Sequence, residues 1–160
     1  MKRLALILPV ALSACTVDTE LGVAADIQAV TVTVTGSADT TVVAMALDVE
    51  FRVGEHAQGA REFVVPRAEI FVADMPVAVV NLGRPTGFDG TLSPGERQVV
   101  HITGSTLAGA FPGARDALCL GSPSAVALIS WSHHAVGEPA TMADIDTASA
   151  PVSSITCDPP

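Results

Sequence analysis

Apolar residues recur at every second position along most of this chain. The alternation is strictest in residues 41–53, where the charged residues all fall between the apolar ones. The apolar set is Val43, Met45, Leu47, Val49, Phe51 and Val53, and the intervening set includes Asp48, Glu50 and Arg52. A strand points successive side chains to opposite faces, so this segment is predicted to be a strand with one buried face and one wet face.

A second strand is predicted just before it. Residues 27–35 alternate valine with threonine, and both residue types are β-branched and favour extended backbone. The residues between the two strands begin Gly36-Ser37-Ala38-Asp39, which is a turn-forming sequence. The two strands are therefore predicted to pair as a hairpin.

Five more extended runs follow, at 62–74, 76–82, 99–103, 124–132 and 152–157. In the first of these runs the apolar positions change parity between Val65 and Ile70, and Pro66 lies at the change. Proline has no backbone donor, so we expect it to bend this strand or to lie at an edge, and the parity change predicts a β-bulge. Residues 114–120 suit either a helix or a strand, and residues 133–142 are predicted to be a loop.

About seven strands with frequent turn signals, and no long amphipathic helix, predict one all-β domain over residues 27–160. The sequence Leu92-Ser93-Pro94-Gly95-Glu96, followed by the alternating run 99–103, is similar to a turn and strand common in bacterial immunoglobulin-like domains. This resemblance covers about a dozen residues. It implies an antiparallel immunoglobulin-like β-sandwich.

The N-terminus has the layout of an export signal. Lys2 and Arg3 precede the apolar stretch 4–12, which leads into Leu12-Ser13-Ala14-Cys15. The segment 1–15 resembles a bacterial lipoprotein signal. The resemblance implies removal of residues 1–14, attachment of lipid to Cys15, and a lipidated N-terminus with a short tether over residues 15–26. The alternatives are an ordinary secretory signal and a membrane-spanning anchor, but the apolar stretch is far shorter than the ~20 residues that a spanning helix needs.

The same resemblance predicts where the protein resides. An exported chain with lipid on Cys15 would be anchored to a membrane. In bacteria with two membranes, an aspartate after the lipidated cysteine often retains a lipoprotein at the inner membrane, and this chain has Thr16 there. We therefore expect the outer membrane, facing the periplasm or the cell surface, if the host has two membranes.

Removal of the signal leaves an acidic chain without lysine. Six arginines and 17 acidic residues remain, for a net charge of −11. Nucleic-acid binding needs a clustered basic surface, so it is not expected. Attraction to anionic lipid headgroups is not expected either, so the lipid would supply the membrane affinity.

Two cysteines remain once Cys15 carries lipid. In an exported chain, Cys119 and Cys157 are predicted to form a structural disulfide. A redox-active pair is the alternative, but the two residues are not in a CxxC motif, which lowers a thiol pKa.

The nearest approach to a metal-binding set is His133-His134, with Glu138, Asp144 and Asp146 downstream. Adjacent residues of a strand face opposite sides, so the two histidines could share an ion only within a loop. We interpret the segment as a polar strand end leading into an acidic loop, and we assign no metal site.

No sequence motif nominates a catalytic residue. The chain lacks a GxSxG nucleophile elbow and the glycine-rich phosphate loops GxxxxGK[ST] and GxGxxG. We predict no enzyme activity and no cofactor beyond the covalent lipid. The leading hypothesis is a non-catalytic envelope lipoprotein that contacts the membrane through its lipid and another envelope protein through its domain. The alternatives are a metal-binding or metal-delivery lipoprotein and a hydrolase whose residues meet only in the fold.

Overall fold

The computed structural model describes residues 22–37, 39–120 and 124–158, and within them the protein is all-β. Cys15 and the predicted signal 1–14 lie outside the described residues. The strands are β1 (Val23–Thr35), β2 (Val42–Val53), β3 (Arg61–Val72), β4 (Met75–Leu82), β5 (Thr91–Leu92), β6 (Arg97–Ser105), β7 (Ala125–Ala135), β8 (Asp144–Pro151) and β9 (Ser154–Cys157). A helix, α1 (Ala114–Cys119), and a 3₁₀ turn (Ala140–Met142) complete the elements.

All nine strands belong to one sheet, in the order β8-β7-β3-β4-β6-β2-β1-β9, with β5 pairing the start of β3. β1 and β2 form the predicted antiparallel hairpin. β9 runs parallel to β1, so the sheet is mixed, and the prediction of a purely antiparallel arrangement is wrong on this point. β1 also begins at Val23, opposite Val53, which places residues 23–26 of the predicted tether inside the sheet.

The prediction of a loop over residues 133–142 is wrong at its start, and the strand that follows the loop was not predicted. β7 continues through His133 and His134 to Ala135, and β8 pairs back along it from Asp144. β8 consists mostly of small or acidic residues that are exposed, so it lacks the buried apolar face by which strands are recognised in a sequence. The hydrogen-bond ladder to β7 defines it instead.

The predicted bulge in β3 is confirmed. Val64 lies opposite Ser132 while Arg67 lies opposite Ser130, so β3 has an additional residue between these two pairs. Phe63 is buried before the shift, and Ala68 and Ile70 are buried after it. Pro66 is therefore accommodated by the bulge within an interior strand, and not by an edge position.

Two parts of the sheet, β8-β7-β3-β4 and β6-β2-β1-β9, contact each other across one apolar core. Phe51 on β2 packs against Phe63 on β3, with ring centroids 4.8 Å apart, and against Trp131 on β7 at 6.0 Å. β2 is not a neighbour of β3 or β7 in the sheet, so these contacts cross the interior. The alternating apolar residues of β2 are all buried in this core, as the sequence predicts.

The two parts are joined on one side by a very short ladder. β4 and β6 pair only through Asn81 with Ser105 and Leu82 with Gly104. A side chain at Gly104 would collide with the carbonyl group of Asn81, so glycine is needed for this approach. β6 therefore keeps most of its length unpaired on this side.

The predicted disulfide between Cys119 and Cys157 is present, with their Cα atoms 6.0 Å apart. Residues 114–119 adopt the helical alternative, so the bridge joins the end of α1 to β9. Arg115 of the same helix donates hydrogen bonds to the backbone oxygens of Gly36 and Asp158. The C-terminal strand is thus held by the bridge, by Arg115 and by its ladder to β1.

Candidate functional site

The unpaired side of β6 borders a cleft. We define the edge cleft as the space bordered by β6, by the start of β3 and by residues 83–92, which comprise the β4–β5 connection and β5. It consists of two adjoining cavities of about 720 and 450 Å³, and both are lined by Phe88 and Asp89. We call the larger one the outer cavity and the smaller one the inner cavity.

The inner cavity is mainly apolar. Its aromatic lining comes from Phe51, Phe63 and Phe88, and its aliphatic lining includes Val64, Val65, Pro66, Leu82 and Ile102. One wall of this cavity is the segment 62–66 of β3, which runs into the bulge. A volume of about 450 Å³ lies within the usual range of ligand pockets.

Phe88 belongs to the lining of both cavities. It comes from the turn-rich segment before β5, and its ring stacks over Phe51 at a centroid distance of 6.1 Å. The ring of Phe63 lies 6.5 Å away. The outer cavity is also lined by Arg97 and Gln98 of β6 and by Leu92 of β5.

The direction of the β6 backbone groups follows from two hydrogen bonds. The oxygen of Glu96 accepts from the nitrogen of Val53, so even-numbered positions point toward β2. The oxygen of Thr103 accepts from Gly83, so odd-numbered positions point away from β2. Alternation then directs the N–H and C=O groups of Arg97, Val99 and His101 away from β2, to the side on which Gly83 lies. Of these three residues, Arg97 lines the outer cavity, and Val99 and His101 continue the same strand edge beyond it. No strand in the described part of the chain pairs with these three residues on that side.

The charges around the cleft are mostly negative. Glu62 and Asp89 line the inner cavity together with Arg84, while Asp89, Glu96 and Arg97 line the outer one. The backbone N–H and the hydroxyl of Thr91 both donate to Asp89 Oδ1, at 2.9 and 2.8 Å, and lower the pKa of this carboxyl. Asp89 therefore remains ionised at neutral pH.

The structure separates the histidines that the sequence offered as a metal-binding pair. His133 faces the core, with its ring 5.4 Å from Trp131, whereas His134 lies on the opposite face with its Nε2 3.4 Å from Glu62 Oε2. Asp144 and Asp146 lie opposite His133 and Trp131 in the neighbouring strand. Within the described ranges no group of three or more His, Cys, Asp and Glu side chains is placed to hold a metal ion.

Several buried polar atoms at the C-terminal half of β7 and at the start of β3 have no hydrogen-bond partner within the described residues. The Nδ1 atoms of His133 and His134, Nε1 of Trp131 and Nε of Arg61 are all buried without a hydrogen-bond partner. Burial lowers the pKa of His133, and the charges of Arg61 and His134 act in the same direction, whereas Asp144 and Asp146 oppose the shift. His133 is therefore neutral at neutral pH.

This burial predicts a loss of stability in mild acid. The unfolded chain would protonate His133 near pH 6.5, while the folded chain resists protonation until a lower pH. The contribution of neutral His133 to the free energy of unfolding is thus fully present above pH ~6.5. It is lost as the pH falls toward the pKa of His133 in the folded chain. We expect the free energy of unfolding of the native chain to fall more between pH 7 and 5 than that of His133→Gln, measured by urea denaturation. Equal pH dependence in the two proteins would contradict this.

The chain matches no protein-family model and no curated protein. None of the helices in the described portion is long and apolar enough to cross a membrane.

The edge cleft was not anticipated from the sequence, because a free strand edge depends on which strands become neighbours. No signal in the sequence points to it, since a single apolar residue such as Phe88 in a turn-rich segment is common on protein surfaces.

Proposed function

We propose that this protein is an exported lipoprotein, anchored to the membrane through Cys15, whose immunoglobulin-like β-sandwich is a non-catalytic module for binding another envelope protein. The disulfide between Cys119 and Cys157 carries the proposal of export. Structural disulfides form and persist in oxidising compartments and are rare in the cytosol. The bridge and the signal-like N-terminus therefore favour the same compartment independently.

The start of the first strand supports a position close to the membrane. Gly22 is held at the end of the sheet, where its oxygen accepts a hydrogen bond from Gly54. Only seven residues, 16–22, separate Cys15 from β1, and seven residues reach at most ~25 Å. A lipid on Cys15 would hold the domain near the bilayer, at the outer membrane if the host has one.

The edge cleft supports the interaction role. It combines unpaired backbone groups with an apolar cavity, and both features are suited to binding another chain. The immunoglobulin-like assignment is supported by the facing parts of the sheet and by the antiparallel pairing of all neighbours except β1 and β9. Trp131, buried between the two parts, is also consistent with a sandwich core.

Metabolic labelling with a palmitate analogue in a bacterial host would test the anchor. We expect the native chain to incorporate label and its mature N-terminus to be a modified Cys15 by mass spectrometry. Cys15→Ser should lose essentially all label and accumulate precursor that retains residues 1–14, since both lipidation and cleavage require the cysteine. Thr16→Ala is the matched control and should remain labelled. An unmodified N-terminus at another residue of the native chain would contradict lipid anchoring.

A further inference from the structure

We propose that the edge cleft binds an extended, basic segment of a second envelope protein, which adds to β6 as a strand and places an apolar, preferably aromatic, side chain in the inner cavity. This inference rests on the proposed role as an interaction module and adds the surface and the chemistry of the partner.

The backbone of β6 supplies the first part of the argument. Arg97, Val99 and His101 each direct one donor and one acceptor away from β2, along the strand edge that begins at the outer cavity beside Arg97, and no described strand pairs with them there. An unpaired edge of this kind is a template for another strand, and proteins that do not use one usually protect it with proline, a bulge or a covering segment. β6 contains no proline, and its pairing with β2 runs without a register shift. The outer cavity leaves open space beside Arg97 and Gln98.

The inner cavity supplies the second part. A strand added to β6 would run past Phe88 toward Ile102, and both residues line that cavity. The three phenylalanine rings in its lining are packed at centroid distances of 4.8 to 6.5 Å, which are normal for interacting aromatic rings. A further aromatic or branched apolar side chain can extend this cluster and remove apolar surface from water.

Charge selects among the segments that could bind in this way. Glu62, Asp89 and Glu96 outnumber Arg84 and Arg97 around the two cavities. Asp89 contributes to both cavities and lies where a bound segment would pass from one to the other. The remainder of the mature chain is also acidic. A segment with lysine or arginine beside its apolar residue is therefore favoured over an acidic one, mainly through faster association.

A bound peptide would use both features of the cleft, the unpaired strand edge and the apolar cavity, whereas a small molecule would use one. A compact ligand in the inner cavity would leave the donors and acceptors of Arg97, Val99 and His101 unused. An extended segment occupies both features at once, because its backbone pairs with the edge while alternate side chains point into the cavity.

Defined peptides test the proposal on the lipidated mature chain in nanodiscs, with empty nanodiscs as the blank. The probe is a fluorescent Lys-Val-Phe-Val-Lys peptide, and its binding is measured by anisotropy at low and at physiological salt. We expect saturable binding that weakens at least tenfold when Phe is replaced by Ala, or when both Lys are replaced by Glu. Hydrogen exchange should slow at residues 97, 99 and 101 in the complex. Absence of binding at 1 mM peptide, or equal binding of all three peptides, would overturn the proposal.

Two variants separate strand addition from non-specific adhesion. Val99→Pro removes an N–H on the unpaired strand edge and none that faces β2, so binding should fall at least tenfold. Val99→Thr keeps this N–H and the side-chain shape, and its affinity should stay within about twofold of the native value. Unchanged binding by a folded Val99→Pro protein would refute strand addition.

Asp89→Asn provides a test that does not alter the β6 backbone. The amide retains an oxygen for the Thr91 hydrogen bonds but removes the charge, so the preference for the lysine peptide over the glutamate peptide should shrink severalfold. An unchanged preference would refute the electrostatic part. If the protein incorporates lipid label but binds no peptide, peptide binding at the edge cleft is refuted and the lipid anchor is not. If it binds peptide but incorporates no label, the lipid anchor is refuted and peptide binding at the cleft is not.

Discussion

Phe51→Ala is expected to lower the free energy of unfolding by about 3–5 kcal/mol, the range found when a buried phenylalanine is truncated. Phe51 is 1% exposed, and its ring contacts Phe63, Phe88 and Trp131, which belong to the facing part of the sheet and to the segment over the cleft. The variant would leave a cavity where the two parts of the sheet meet. A domain of this size has about 5–15 kcal/mol of total stability, so a large fraction would be lost.

Urea denaturation of the oxidised protein measures this effect, and Phe71→Ala provides the control. Phe71 is on β3 but is only partly buried and lies outside the core cluster. The same truncation there should lower the unfolding free energy by about 1 kcal/mol or less. Equal losses in the two variants would show that the aromatic contacts across the interior do not contribute as the structure indicates.

Removal of the disulfide by Cys119→Ala together with Cys157→Ala is expected to lower the free energy of unfolding by about 3–4 kcal/mol. The bridge spans 38 positions of sequence, and closing a loop of that length restricts the unfolded chain by this amount in the chain-entropy description. The effect should also be local, because in the described residues β9 is otherwise held by its four-residue ladder to β1, by the flanking hydrogen bonds of Ser153 and Asp158 to β1, by Arg115 and by packing.

Denaturation with and without a reducing agent distinguishes this contribution from a packing defect. Reduction should destabilise the native chain by about the same amount as the double substitution and should leave the double variant unchanged. Hydrogen exchange in the reduced protein should accelerate in β9 before it does in β2. If reduction left both the stability and the exchange of β9 unchanged, the bridge would have no structural role.

Several elements were predictable from the sequence because their signals are local. The alternation in residues 41–53 identified β2 and its buried face, since side-chain direction in a strand depends only on position along that strand. The parity change around Pro66 identified the bulge in the same way. The disulfide followed from counting the cysteines left after lipidation of Cys15, and the lipidation itself stays a prediction.

Other elements were missed because they depend on partners distant in the sequence. β8 exists through its ladder to β7, and β5 is two residues paired with the start of β3, so neither has an apolar pattern of its own. His133 and His134 were assigned to a loop because polar residues usually mark the end of a strand. The pairing of His133 with Phe63 in the neighbouring β3, and with Asp144 in β8, extends the strand beyond that point.

The sequence by itself determined the two-residue alternation of apolar positions in the strands, the all-β class and the pairing of the two cysteines. Through Cys15 it also predicts the localisation of the protein. Only the tertiary structure decided which strands became neighbours, and therefore that β6 has an open edge beside Phe51, Phe63 and Phe88. The physical reason is that a strand's own residues set which face is buried. A free edge and the cavity beside it are set by where the rest of the chain stops pairing.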